Sequence, residues 1–86
     1  MISFLTGEIR NIFAEKSILE INVSGIGYEV SLPSFVMDEV INRGKKIGEP
    51  IDLEIYYHAT ERSPKPLLVG FNNQIEKIFF EKIIQV

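Results

Sequence analysis

Between Leu19 and Leu32 the apolar residues recur at every second position on both sides of one short break. Leu19, Ile21 and Val23 fall on one face, with Glu20 and Asn22 on the other. Tyr28, Val30 and Leu32 repeat the pattern against Glu29 and Ser31. A period of two belongs to a half-buried strand. The break, Ser24-Gly25, has the length and composition of a two-residue hairpin turn. Two such strands are not stable alone and must find further strands to cover the apolar face. This hairpin therefore commits the chain to a sheet.

The flanking segments supply those strands. From Ile2 to Ile12 the alternation is mixed: Ile2, Phe4, Thr6, Glu8, Arg10 and Ile12 share one face, and Leu5, Gly7 and Ile9 the other. That mixture predicts a long strand bent at Gly7. Gly27, inside the returning strand, predicts a bulge or tight bend. Pro33-Ser34 ends the meander, and Ser34 is expected to cap a short helix reaching Val40 or Ile41. Asn42 to Gly48 reads as a loop. Ile51, Leu53, Ile55 and Tyr57 then face inward, with Asp52, Glu54 and Tyr56 outward. Ala59 to Pro66 is a polar tip with two prolines and neither helical nor strand period, and Leu67 to Phe71 is a short last strand.

The end is helical. Asn73 followed by Glu76 resembles a capping box, and Ile75, Ile78, Phe79 and Ile83 recur at helical spacing. The apolar residues run on to Val86 without a Gly or Pro stop, from which the expectation is that the native protein continues. Five strands, a short helix between the third and fourth, and a C-terminal α-helix describe an all-β, five-stranded OB-fold Greek-key barrel. The expected division is a barrel over residues 1–71 and a helix over 72–86.

Composition narrows the function. With 86 residues the chain has room for one modest core. It has no cysteine, which excludes disulfides and thiolate metal sites and fits a reducing cytoplasm. Its start carries charge by Glu8 and lacks the apolar stretch of a signal peptide, and no apolar run is long enough to span a bilayer. The single histidine, His58, has no cysteine or spaced acidic partner, so neither a catalytic site, nor a metal site, nor a cofactor is expected. A net charge of −3 argues against a broad nucleic-acid clamp. Any contact with nucleic acid must be local, or shared with other domains.

Local candidates exist. Arg43, Lys45 and Lys46 form a basic cluster that is either a solvated loop or a set of phosphate contacts. Glu61, Arg62, Ser63, Pro64 and Lys65 lie in the proline-stiffened tip, either a preorganised probe or a plain hairpin end. Gly25-Ile26-Gly27 has the Gly-apolar-Gly step of phosphate-binding helical hairpins, but it sits between strands, where the turn explains it. Among the aromatics, Tyr56 is the one expected to be exposed, and Phe80, off the helical stripe, is left to face a partner.

Two blocks carry a family resemblance. One is Val23-Ser24-Gly25-Ile26-Gly27-Tyr28-Glu29-Val30 with Leu32-Pro33; the other is Leu67-Leu68-Val69-Gly70-Phe71-Asn72-Asn73 with Glu76 and Phe79. With Met1-Ile2, Leu5 and Gly7, they make nearly the whole chain resemble the N-terminal part of the RuvA family. The resemblance implies an OB domain followed by helix-hairpin-helix and motor-binding domains, of which this chain would hold the first and one helix of the second. It implies a homotetramer on a four-way DNA junction and, through a domain absent here, engagement of the RuvB ATPase. It also implies a non-catalytic role: the barrel supports the tetramer and sets a hairpin at the junction centre during branch migration. In the family that hairpin carries adjacent carboxylates, an acidic pin. Here those positions fall on Ser63 and Pro64, with Glu61 the nearest carboxylate, while Arg62 matches a basic residue beside the pin. Two rivals stand beside this reading: a general OB-fold binder of single-stranded nucleic acid, and a protein-interaction module using the apolar helix.

Overall fold

The computed structural model describes residues 1–60 and 63–84. Five strands, β1 (Phe4–Phe13), β2 (Ile18–Val23), β3 (Ile26–Ser31), β4 (Pro50–Thr60) and β5 (Ser63–Phe71), close into a barrel in the order β1-β2-β3-β5-β4. Helix α1 (Ser34–Asn42) joins β3 to β4, and α2 (Gln74–Ile84) follows β5. Neighbours are antiparallel except β3 and β5, which meet in parallel at Ser31 and Val69. This is the OB-fold connectivity expected above.

The β2–β3 hairpin has the predicted turn. Val23 pairs with Ile26, and Ser24 and Gly25 both take positive φ, 52° and 89°. That combination defines the hairpin turn whose twist matches the strands. The Gly25 amide also donates to Asn22 Oδ1 at 2.8 Å. One expectation for glycine needs correction. Gly27 sits in unbroken register opposite Asn22, with no bulge. In β1 the register shifts between Ile9 and Asn11. Gly7 marks a close approach, where a Cβ would run into the Asn22 carbonyl.

The inward alternation predicted for the strands holds. Leu5, Ile9, Leu19, Ile21, Val30, Leu32, Ile51, Leu53, Ile55 and Leu68 fill the barrel, and Val36, Met37 and Val40 of α1 join the same cluster. Among the described residues no polar side chain is buried, so the core is held by apolar burial, about 1.5–3 kcal/mol for each large side chain. The helix α1 starts one residue earlier than expected. Ser34 is its first residue, the cap position is Pro33, and no side chain caps it. The ring of Pro33 presets an extended entry (φ −53°, ψ 151°), and its carbonyl accepts from the amides of Val36 and Met37.

The start of α2 is close to the predicted box. The Glu76 amide donates to Asn73 Oδ1 at 2.9 Å, but the returning Glu76 carboxylate takes the Asn72 amide at 3.0 Å instead of that of Asn73. The docking of the helix reverses an expectation. Phe80 faces the barrel, its ring 5.1 Å from Phe71 and 5.6 Å from Tyr56. Phe71 is fully buried beneath it, although it sits on the outer face of β5. The stripe Ile75, Ile78, Phe79 and Ile83 points away.

Candidate nucleic-acid interface

The geometry of β4 and β5 follows from where their pairing partners stop. β1 pairs with β4 only from Pro50 to Glu54, whereas β4 and β5 stay paired from Glu54–Phe71 out to Thr60–Ser63. β3 pairs with β5 only at Val69. The outer halves of β4 and β5 therefore form a two-stranded ribbon that extends past the rest of the barrel. A register shift between His58 and Thr60 adds local twist. This corrects the polar tip expected over Ala59 to Pro66: strand pairing continues to Thr60 and resumes at Ser63. Prolines at 64 and 66 suggested a break, yet an edge strand tolerates proline because its outer amides have no ladder partner. Ser63, Pro64 and Lys65 thus belong to β5, while Glu61 and Arg62 lie outside the described residues.

The basic cluster lies elsewhere. Lys45 Nζ donates to the carbonyl of Pro50, the first residue of β4, at 3.0 Å. The ribbon end is ten residues further along that strand, roughly 30 Å at the rise of an extended chain. Arg43 is committed to an ion pair with Glu39 at 2.6 Å, and Glu39 also accepts from Asn72 Nδ2 at 3.0 Å. Arg43 and Lys45 share a cleft of about 300 Å³ with Asp52 and Asn72. Glu39 and Asp52 balance the cations there, and of the three basic residues Lys46 alone makes no side-chain hydrogen bond or ion pair among the described residues. The basic cluster is not brought together with Ser63 at the described end of the ribbon.

The outer face of β1–β3 is acidic. Glu20 stands directly opposite Glu29, and Glu8 lies on the same surface. Arg10, 3.5 Å from Glu20, is partly neutralised, and Asn11 also donates to Glu20 at 2.8 Å. Such a face repels a phosphate backbone. Tyr56, expected to be the exposed aromatic, is half-buried against Phe80, with His58 stacked on its other side at 6.0 Å and the Tyr56 hydroxyl 3.3 Å from His58 Nδ1. It is not free to act as a stacking platform.

What the sequence left undecided is that the apolar stripe of α2 points outward. Together with Phe35 it borders a groove of about 320 Å³. Helical period located a stripe but carried no signal for which side of the helix would meet the barrel. Among the described residues no three His, Asp or Glu side chains come together in a way that could hold a metal ion, and no helix is long and apolar enough to cross a membrane.

Comparison with known proteins adds an independent finding. Residues 1–65 match the family model described as the RuvA N-terminal domain. The whole chain aligns with the Holliday junction branch migration complex subunit RuvA of Desulforapulum autotrophicum at 44% identity over 86 residues, covering 38% of that protein. It aligns with the protein of the same name from Desulfosudis oleivorans at 41% identity, covering 40% of it. A third, from Oceanobacillus iheyensis, is 33% identical over 87 aligned positions, with 38% covered. The chain spans about two fifths of the length of these relatives.

Proposed function

Because the chain belongs to the RuvA N-terminal domain family, we propose that it serves as the barrel domain of a Holliday junction branch migration complex subunit, acting in DNA recombination and repair. Its role is to bind and position, with no chemistry of its own; ATP hydrolysis falls to a separate motor, RuvB, reached through parts of the longer protein. Four copies surround the junction in the cytoplasm, and each β4–β5 ribbon points at the centre. The observation that carries this reading is the ribbon itself. It is a two-stranded extension of the barrel, paired out to Thr60 and Ser63, that runs away from the acidic β1–β3 face. Arg62 is its DNA contact, and Ser63-Pro64 replaces the paired carboxylates of the family, leaving Glu61 as the one nearby acid.

The acidic outer face supports junction positioning over the general single-strand binder, which needs a groove of free aromatics and cations. Fluorescence anisotropy titration of the 86-residue chain against a four-way junction, a matched duplex and a single strand tests this. The expected order places the junction first, with a Kd weaker than about 1 µM at physiological salt, in the range of binding without a dedicated clamp. Preference for the single strand would replace this reading with the general OB-fold one. Submicromolar junction binding would mean that the barrel itself supplies the grip. In the full-length protein, Arg62→Ala is expected to weaken junction binding or slow branch migration; no change in either removes Arg62 from the interface.

A further inference from the structure

The ribbon parts from the barrel at a definable point. β1 last pairs with β4 at Glu54, and the final tie on that side is the Ile55 amide, which donates to the Ser3 carbonyl at 2.8 Å. On the other side β3 pairs with β5 only at Val69, which stands opposite Tyr56. Beyond Tyr56 and Val69 each strand is paired only with the other. A lone two-stranded pair is marginally stable in water, so the order of the ribbon must come from what holds its root.

α2 holds that root from outside. Lys77 Nζ donates to the same Ser3 carbonyl at 3.3 Å. One turn further along the same helical face, Phe80 lies edge-on to Tyr56 of β4 at 5.6 Å and tilted over Phe71 of β5 at 5.1 Å. A single ring thus touches both strands where they leave the barrel. Tyr56 carries the contact outward. His58, two residues along on the same face of β4, stacks on it at 6.0 Å, and the Tyr56 hydroxyl stands 3.3 Å from His58 Nδ1. We infer that Phe80 is a positioning residue for the ribbon: through Tyr56 and His58 it couples the seating of α2 to the order of β4 and β5 beyond the barrel. Coupling of this kind is reciprocal. A change that loosens the root also loosens α2, and whatever holds α2 in the longer protein steadies the ribbon. That last step rests on the reading of the chain as the barrel of a junction-binding subunit; the contacts themselves do not.

Nuclear magnetic resonance relaxation of the 86-residue chain tests the coupling without DNA. In the parent, the amides of His58 and Leu67, which are paired across the ribbon, should show the order of rigid backbone, about 0.85. In Phe80→Ala their order parameters should fall below about 0.6, while those of the paired Leu19 and Val30 in the β2–β3 hairpin stay at the parent value. The ring protons of His58, shifted in the parent by the stacked Tyr56 ring, should move toward the values of a free histidine. Phe79→Ala is the matched control, the same substitution one residue away on the same helix, at a position 66% exposed and turned from the barrel; it should leave the ribbon as in the parent. Tyr56→Ala should in turn lower the order of the α2 amides. Phe80→Leu, which keeps apolar bulk but loses the ring, serves if the alanine variant fails to fold. The inference is overturned if Phe80→Ala leaves His58 and Leu67 as ordered as in the parent. It is equally overturned if Phe79→Ala has the same effect, or if order falls evenly through the barrel, which reports general destabilisation. Such a failure leaves the proposed function standing, whereas a preference for single strands in the anisotropy titration removes that function and leaves the coupling in place.

Discussion

Gly70 lies in the second sequence block that resembles the family, and the barrel interior gives it a physical task. It pairs with Ile55 and faces inward. A Cβ built there would come within 2.7 Å of Val30 Cγ1, 2.8 Å of Leu32 Cδ2 and 3.4 Å of Leu53 Cδ1. Val30 and Leu32 are 0% and 3% exposed, so neither has open space into which to retreat. The branched Val30 side chain is also stiff at χ1. Gly70→Ala must therefore move two packed side chains by more than half an ångström to reach ordinary contact, and overpacking of this kind costs about 1–3 kcal/mol. Alanine restricts the unfolded chain and returns about 0.4–1 kcal/mol. The net loss is about 1–2 kcal/mol, which for a domain of this size lowers Tm by roughly 4–16 °C. Gly27→Ala is the matched control: its Cβ meets nothing within 4 Å and its φ is not positive. Thermal unfolding of both variants, followed by far-ultraviolet circular dichroism and checked by urea titration, separates packing from strand propensity. Overpacking at Gly70 is refuted if Gly70→Ala melts within about 2 °C of the parent, or if both substitutions shift Tm equally.

Three further outcomes follow from local geometry. Gly25→Val has open space around it but holds φ at 89°; the left-handed backbone should cost about 1–2 kcal/mol, and an unaltered melting temperature would refute the turn assignment. Asn73→Ala removes the acceptor for the Glu76 amide and should lower stability by about 1 kcal/mol with fraying of α2, visible as reduced helical signal before the main transition; an unchanged signal and Tm would show that this cap contributes nothing. Glu29→Lys turns the like-charge pair with Glu20 into an attractive one and should raise stability by a few tenths of a kcal/mol, a gain that shrinks as salt is added; destabilisation at low salt would contradict it.

Local period and turn chemistry were readable in the chain itself. The alternation through Leu19–Val23 and Tyr28–Leu32, the positive-φ turn at Ser24-Gly25 and the Asn73 cap each depend on residues within one strand, turn or helical end. The blocks around Gly25 and Gly70 also pointed to the family that the comparison then showed. Three features depended on elements far apart in sequence. The ribbon was obscured because proline reads as a break, and only the absence of a neighbour beside outer β5 makes it tolerable there. The separation of Arg43 and Lys45 from Ser63, at the described end of the ribbon, follows from β4 standing between them as an extended strand. The docking face of α2 was decided by shape: Phe80 fits over Phe71 and Tyr56, whereas hydrophobic period favoured the stripe that faces outward. Periodicity records which residues share a side of a helix; only the surface offered by the closed barrel selects the side that packs.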